Sequence, residues 1–367
     1  MKRPLSAAIL GGGYNSAVGR AHLSALRMDG LFKIRDCRFS NSLDHNRLSH
    51  DMYGLEGFVH DLDFETWLER IHKSVDLIII LTPSPDHASH ISACIRKGLA
   101  FITEKPVVCS SGEVGQIRDL MQKSDVYCRY IHNYSGYPMF RELCHRIQCG
   151  QIGKILHVSA HMPSDIFARE HRIGKPQPWR QTDPEIPMVL LDLATHLYHL
   201  VTMSVGESKS GRLTVESHRP SNSFGVVDHV EILDSRLDGI LVRYLISKVS
   251  LGHKNGLKLE FYGSRGSLSW DQMQPDVIMQ SDDDSNIDIV NRGSTMLDLS
   301  AYERFKPGHP TGFIDAFANY YYDIYDDYNA FHQKGKPLRW IHDLDKALNG
   351  ILFLGKVADQ IHVSPNV

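Results

Sequence analysis

The run Val75-Asp76-Leu77-Ile78-Ile79-Ile80-Leu81 constrains the fold of this chain more than any other stretch. A near-continuous aliphatic strand has no polar face to turn to water, so it must be covered on both sides, as a parallel-sheet strand is. Thr82-Pro83-Ser84 ends it, because proline cannot continue the ladder. The same unit recurs around it. Leu5 to Leu10 runs into Gly11-Gly12-Gly13, after which Val18, Ala21, Ala25 and Met28 recur at helical spacing, and Phe32 to Phe39 reads as a second strand. Beyond Pro83, Ile91, Cys94 and Ile95 mark a helix stopped by Gly98, and Phe101-Ile102-Thr103 follows as a strand. Ser110 and Glu113 stand at capping-box spacing ahead of Val114, Ile117 and Leu120, and a final strand spans Val126 to Ile131. Strand and helix alternate through residue 132, which predicts an α/β domain with a doubly wound parallel sheet.

In such sheets ligands bind outside the carboxyl ends of the strands. Gly11 and Gly13 let the first turn come close to a pyrophosphate, and the helix that follows Asn15 and Ser16 offers free N–H groups there. Ser16 stands where the third glycine of G-x-G-x-x-G would fall, so a slightly longer turn, reaching Gly19, is expected. An acid just past the second strand would favour a free ribose hydroxyl. This chain has Ser40-Asn41 there, between Arg38 and Arg47, and leaves NAD and NADP both open. The strand at Phe101 runs into Glu104-Lys105-Pro106, which sets a lysine at the sheet edge facing that crevice.

At 367 residues the chain exceeds what one core supports, which favours two domains, 1–132 and 133–367. A net charge of -3 lacks the basic footprint of a nucleic-acid binder, and no apolar run approaches the roughly 20 residues that span a bilayer. Six cysteines without a C-x-x-C pair suit reduced thiols in a cytoplasmic protein. The 21 histidines show no metal-ligand spacing, and no metal is expected.

From about residue 155 the pattern changes to alternation. Gly211 to His218, His229 to Leu233, Ile240 to Val249, Leu257 to Tyr262 and Ser267 to Trp270 predict a mostly antiparallel sheet. Two helices, 312–333 and 344–361, are expected to help cover it, and the stripe Phe313, Phe317, Tyr320, Tyr321, Ile324 and Tyr328 reads as core or subunit contact rather than a ligand box. Asp192 and His196 are four apart and so share one helix face.

Taken together, the glycine turn Gly11 to His22, Thr82-Pro83 with His87, Glu104-Lys105-Pro106, and Asp192 with His196 resemble the Gfo/Idh/MocA family of nicotinamide-dependent oxidoreductases. His132-Asn133-Tyr134 and Gly308-His309-Pro310-Thr311-Gly312-Phe313 are similar to a sugar-oxidising branch. The resemblance implies a Rossmann domain and a C-terminal α/β domain whose open sheet joins subunits into a homodimer or homotetramer. It also implies an active site in the cleft between the domains, where Lys105 hydrogen-bonds the reacting hydroxyl, His196 is the base and Asp192 orients substrate or histidine. Gly11, Gly13, Asn15, Ser16, Ser40, Thr82, Pro83, His87, Glu104 and Lys105 would then hold NAD or NADP. Lys105, Asn133, Tyr134, Trp179, Arg180, Asp192, His196 and His309 would surround a sugar or cyclitol. Where many relatives are glycine-rich before the Asp-x-x-x-His helix, this chain has Ile186-Pro187-Met188-Val189-Leu190-Leu191, which should reshape the substrate site. The expected reaction is hydride transfer at a secondary alcohol or ketone of a sugar, sugar derivative or cyclitol. An NAD-retaining glycoside hydrolase and a non-catalytic cofactor or sugar sensor are the alternatives.

Overall fold

The computed structural model describes residues 3–55, 63–169, 177–207, 211–218 and 225–361. The chain forms two compact units, Met1–Asn133 with Phe313–Asn349, and Tyr134–Gly312 with Gly350–Val367.

The first unit holds a five-stranded parallel sheet in the order β2-β1-β3-β4-β5, built from β1 (Leu5–Gly11), β2 (Phe32–Arg38), β3 (Leu77–Leu81), β4 (Phe101–Thr103) and β5 (Cys128–Tyr130). The aliphatic run is the central strand, as expected, and all five of its residues are buried. Each such side chain contributes about 1.5–3 kcal/mol relative to leaving it in water, and an unpaired charge at Ile79 would be strongly destabilising. Helices α1 (Ala17–Met28), α2 (Leu43–Tyr53), α3 (Phe64–Ile71), α4 (His87–Arg96) and α5 (Ser111–Met121) flank the strands. Ser16 starts α1 by accepting from the Gly19 N–H at 3.1 Å, which satisfies one of the donors a helix start leaves open. The capping box at α5 is displaced by one residue. Ser110 accepts from the Glu113 N–H, but the Glu113 carboxylate reaches back to the Cys109 N–H at 2.8 Å.

The second unit holds α6 (Pro138–Gln148), α7 (Thr195–Val205) and an eight-stranded sheet of β6 (Ile155–Pro163), β7 (Arg212–His218), β8 (His229–Ser235), β9 (Leu241–Ser247), β10 (Lys258–Gly263), β11 (Gly266–Asp271), β12 (Val277–Ser281) and β13 (Ile287–Asn291). Their order is β13-β12-β11-β10-β6-β9-β8-β7, antiparallel except where β6 meets β9. One face is core, with Val158, Ile232, Tyr244, Phe261 and Trp270 all buried. Trp270 packs on Tyr137 and Phe140 at the start of α6.

One expectation is corrected. The helix α8 (Phe313–His332) does not cover the antiparallel sheet; it packs on α1, and Phe317, Tyr320, Tyr321 and Ile324 join the core cluster of the parallel sheet with Ile9 and Leu23. Four of the six stripe residues are core, while Tyr328 is partly buried against them and Phe313 is exposed; helical periodicity shows which face is buried and not which sheet buries it. The last helix, α9 (Leu344–Ala358), does meet the second sheet: Phe353 lies against Tyr198 and Tyr244 at ring distances of 4.8 and 5.9 Å.

Candidate active site

The first unit supplies the turns that a dinucleotide would need. Gly11 and Gly12 have φ of +84° and +72°, which side-chain-bearing residues rarely adopt. A Cβ at Gly11 would stand 2.6 Å from the Leu81 carbonyl, and one at Gly19 would stand 2.0 Å from the Gly12 oxygen. These glycines therefore let β1, β3 and the first turn of α1 close on one another, leaving Asn15 exposed and Ser16 half-buried beside the helix N-terminus. The geometry fits a pyrophosphate cradle. At the end of β2, Ser40 is half-buried, while the strand's own acid, Asp36, is committed to Trp67 Nε1 at 2.8 Å and to Arg70 at 2.7 Å. No carboxylate is thus presented from β2 itself.

Past β3 and β4, two turns meet at one ring. His87 is buried, with Nδ1 2.7 Å from the Pro106 carbonyl and Nε2 2.8 Å from the Thr82 carbonyl. Burial holds this imidazole below its ordinary pKa, against the pull of the two carbonyls. His87 therefore stands between the Thr82-Pro83 turn and Glu104-Lys105-Pro106, the single N–H of its neutral ring donating to one of the two carbonyls, while Thr82 Oγ1 meets His90 at 3.1 Å and Pro83 is exposed. Lys105 is half-buried, and its N–H donates to its neighbour's carboxylate, Glu104 Oε2, at 3.0 Å.

The second unit brings Asp192 and His196 into one local arrangement, with a difference from the expected helix. Leu190–Ala194 is a π-helical turn that runs into α7, so Asp192 sits in a widened turn ahead of His196. Such turns recur at functional sites because they re-aim side chains that a regular helix would fix. Asp192 Oδ2 receives Arg180 Nη1 at 2.7 Å and Lys248 Nζ at 2.9 Å. With two donors on one oxygen, this carboxylate is placed as an orienting acceptor rather than a proton shuttle. Lys248 is almost wholly buried and rests over the Phe167 ring at 4.9 Å. Arg180 lies flat on Trp179 at 4.2 Å, and Trp179 Nε1 donates to Gln177. His196 is buried, with Tyr134 edge-on at 4.8 Å, and the Tyr134 hydroxyl accepts from Asn255 Nδ2 at 2.5 Å.

Other expected residues fall elsewhere. Asn133 is buried at the end of the first unit, and its Nδ2 finds no partner among the described residues. His309 is exposed, and its carbonyl accepts from Arg292, itself paired with Asp276. Lys248 and Asn255 were not singled out from sequence. For Lys248 a signal existed: Val242, Tyr244 and Ile246 share one parity along β9, and Lys248, one residue past its end, continues that inward-facing row, where a lysine needs a partner. Among the described residues there is no metal-binding cluster and no helix long and apolar enough to cross a membrane.

Comparison with known proteins agrees with this architecture. Residues 5–132 match the model of an oxidoreductase family with an NAD-binding Rossmann fold, and residues 140–269 match the GFO/IDH/MocA C-terminal domain. An uncharacterized oxidoreductase of Bacillus subtilis, YfiI, is 25% identical over 88% of this chain and 84% of its own length. An inositol dehydrogenase homolog from Azotobacter vinelandii, solved with NADH and myo-inositol, superposes with a TM-score of 0.85 at 22% identity, covering 98% of this chain and 96% of that one. A levoglucosan dehydrogenase solved with NADH and levoglucosan gives 0.81 at 17% identity, covering 98% and 97%. With the Rossmann model on the first unit and the C-terminal model on the second, the chain belongs to the Gfo/Idh/MocA family of oxidoreductases and carries its NAD-binding domain.

Proposed function

We propose that this protein transfers hydride between NAD or NADP and a secondary alcohol or ketone of a sugar, sugar derivative or cyclitol. The observation that carries the reading is Asp192, pinned by Arg180 and Lys248 one short turn ahead of His196, in a chain of an oxidoreductase family. That structural neighbours in this fold were solved with myo-inositol and levoglucosan supports the substrate class. When bound, the nicotinamide supplies the hydride acceptor or donor. Hydride loss from an alcohol yields a carbonyl only if the hydroxyl proton also leaves, so a base is required. His196 takes that proton in our reading, since imidazole titrates near neutrality. Lys105 hydrogen-bonds the reacting hydroxyl, and Asp192 orients the substrate or the imidazole. Gly11, Gly13, Asn15, Ser16, Ser40, Thr82 and Pro83 hold the dinucleotide, with Glu104 and His87 setting the turns beside it. Asn133, Tyr134, Trp179, Arg180 and His309 contact the sugar, where the Trp179–Arg180 stack offers a flat face.

We further propose that residues 133–367 serve substrate binding and assembly into a homodimer or homotetramer, through the outer face of the eight-stranded sheet. Exposed Ile287, Ile289 and Met279 on that face support it. A cytoplasmic setting accords with cysteines that are all free, five of them buried.

The test is Lys105→Ala with NAD⁺ and NADP⁺ against a panel of sugars and cyclitols. Turnover should fall roughly 10²-fold or more with dinucleotide affinity much less changed. Wild-type turnover in the variant would remove Lys105 from the mechanism. Release of free sugar from a glycoside without net cofactor reduction would replace the dehydrogenase reading with a hydrolase.

A further inference from the structure

We propose that Tyr321, with His22, is a positioning residue for Lys105, acting through Glu104. The inference rests on the role given to Lys105 above. Its basis is a chain of three hydrogen bonds. His22 Nδ1 lies 2.7 Å from Tyr321 Oη, His22 Nε2 lies 2.9 Å from Glu104 Oε1, and the Lys105 N–H donates to Glu104 Oε2 at 3.0 Å. The Tyr321 hydroxyl and the His22 ring are buried, and the Glu104 side chain is 12% exposed.

The directions follow from what each group can do. An ionised carboxylate only accepts, so His22 must donate from Nε2. In the neutral ring Nδ1 is then a lone pair, and the Tyr321 hydroxyl must donate to it. Burial, and next the nearby Glu104 charge, hold the Tyr321 hydroxyl well above its ordinary pKa, so it remains a donor. Phe317 packs edge-on against the ring at 4.6 Å and fixes its plane. The result is a one-way series: Tyr321 O–H to His22, His22 N–H to Glu104, and Glu104 filled on its second oxygen by the backbone of Lys105. Glu104 meets two donors with two acceptor oxygens, so its carboxylate is locked, and with it the peptide that carries the Lys105 side chain. None of these three groups needs to touch substrate. Helix α8, which packs on α1, thereby sets the lysine turn through Tyr321.

Substitutions separate positioning from plain packing. Tyr321→Phe keeps the ring and removes the one hydroxyl donor, leaving a buried lone pair. Turnover with the best sugar or cyclitol of the panel should fall about tenfold, with KM and NADH affinity within about twofold, the size expected of one stranded buried acceptor. His22→Gln can rebuild the series, because its amide nitrogen can donate to Glu104 while its oxygen accepts from Tyr321; it should retain turnover within about threefold. Glu104→Gln cannot, since an amide has one acceptor oxygen for two donors, and it should lose as much as Tyr321→Phe or more. A spectroscopic readout stands apart from activity: nitrogen NMR of histidine-labelled protein, with His22→Gln identifying the signal, should show His22 as the Nε2–H tautomer in wild type. Unchanged turnover in Tyr321→Phe, or His22 found with its proton on Nδ1, would overturn the proposal. If the wild type turns over nothing in the panel, the hydride-transfer reading fails, while the tautomer still decides whether the series exists.

Discussion

Asp192→Asn is the perturbation whose cost can be worked most fully from the structure. Asp192 Oδ2 carries both Arg180 and Lys248, at 2.7 and 2.9 Å. An amide keeps the shape but removes the charge. Arg180 is one-third exposed and can recover water, whereas the Lys248 side chain is 3% exposed and cannot. Removing one partner of a buried ion pair costs about 3–5 kcal/mol; with Arg180 able to rehydrate, about 3 kcal/mol is expected here. The assay is urea unfolding of the second unit, followed by Trp270 and Trp179 fluorescence. Asp192→Asn should lower the midpoint sharply, and Lys248→Met added to it should recover part of the loss, because the buried cation that Asp192 answers is gone. The two single changes must then be strongly non-additive. If Asp192→Asn unfolds at the wild-type midpoint, or if Lys248→Met only adds to the damage, Lys248 is not held by Asp192 and the site geometry argued above is wrong.

Other outcomes follow from individual contacts. Gly19→Ala places a Cβ 2.0 Å from the Gly12 oxygen, backbone against backbone, so NADH affinity measured by fluorescence titration should fall about tenfold or more as α1 shifts. Burial pushes His90 down to about 4 and His342 down to about 3, from an ordinary value near 6.5. Both rings are neutral when folded, and the unfolded chain takes up protons first as pH drops. Stability of the first unit should therefore be full above about pH 6.5 and drain between there and about pH 3, with His342→Asn flattening the urea-midpoint curve. Ile289→Lys, at a position 68% exposed on the outer sheet face, should lower the molar mass seen by light scattering without altering the monomer's unfolding; an unchanged mass would move the interface elsewhere.

The parallel half was legible because its strands are apolar on both faces. Leu77–Leu81 admits no other placement, and the glycines of the first turn mark themselves by position. The antiparallel half was read only where alternation is clean. The strands β12 and β13 went unnoticed because Ile287 and Ile289 are exposed apolar residues on the solvent face and Val290 alone is buried on β13, so no two-residue period shows. Asp192 and His196 were found by their spacing, but the π-helical turn between them has no sequence signature. What lies far along the chain was least visible. Tyr321 reaches His22 across 299 residues, and Lys248 meets Asp192 only once the π-helical turn is laid against β9. Periodicity names the buried side of an element, while the partner on that side is set by the tertiary fold.

The central claim is tested most directly by reduced-nicotinamide absorbance on the purified wild-type protein, given NAD⁺ or NADP⁺ with a panel of sugars and cyclitols. The account predicts reduction by one substrate class with one preferred dinucleotide, lost in Lys105→Ala. Failure to bind either dinucleotide, or binding with no reduction by any member of the panel, would contradict it.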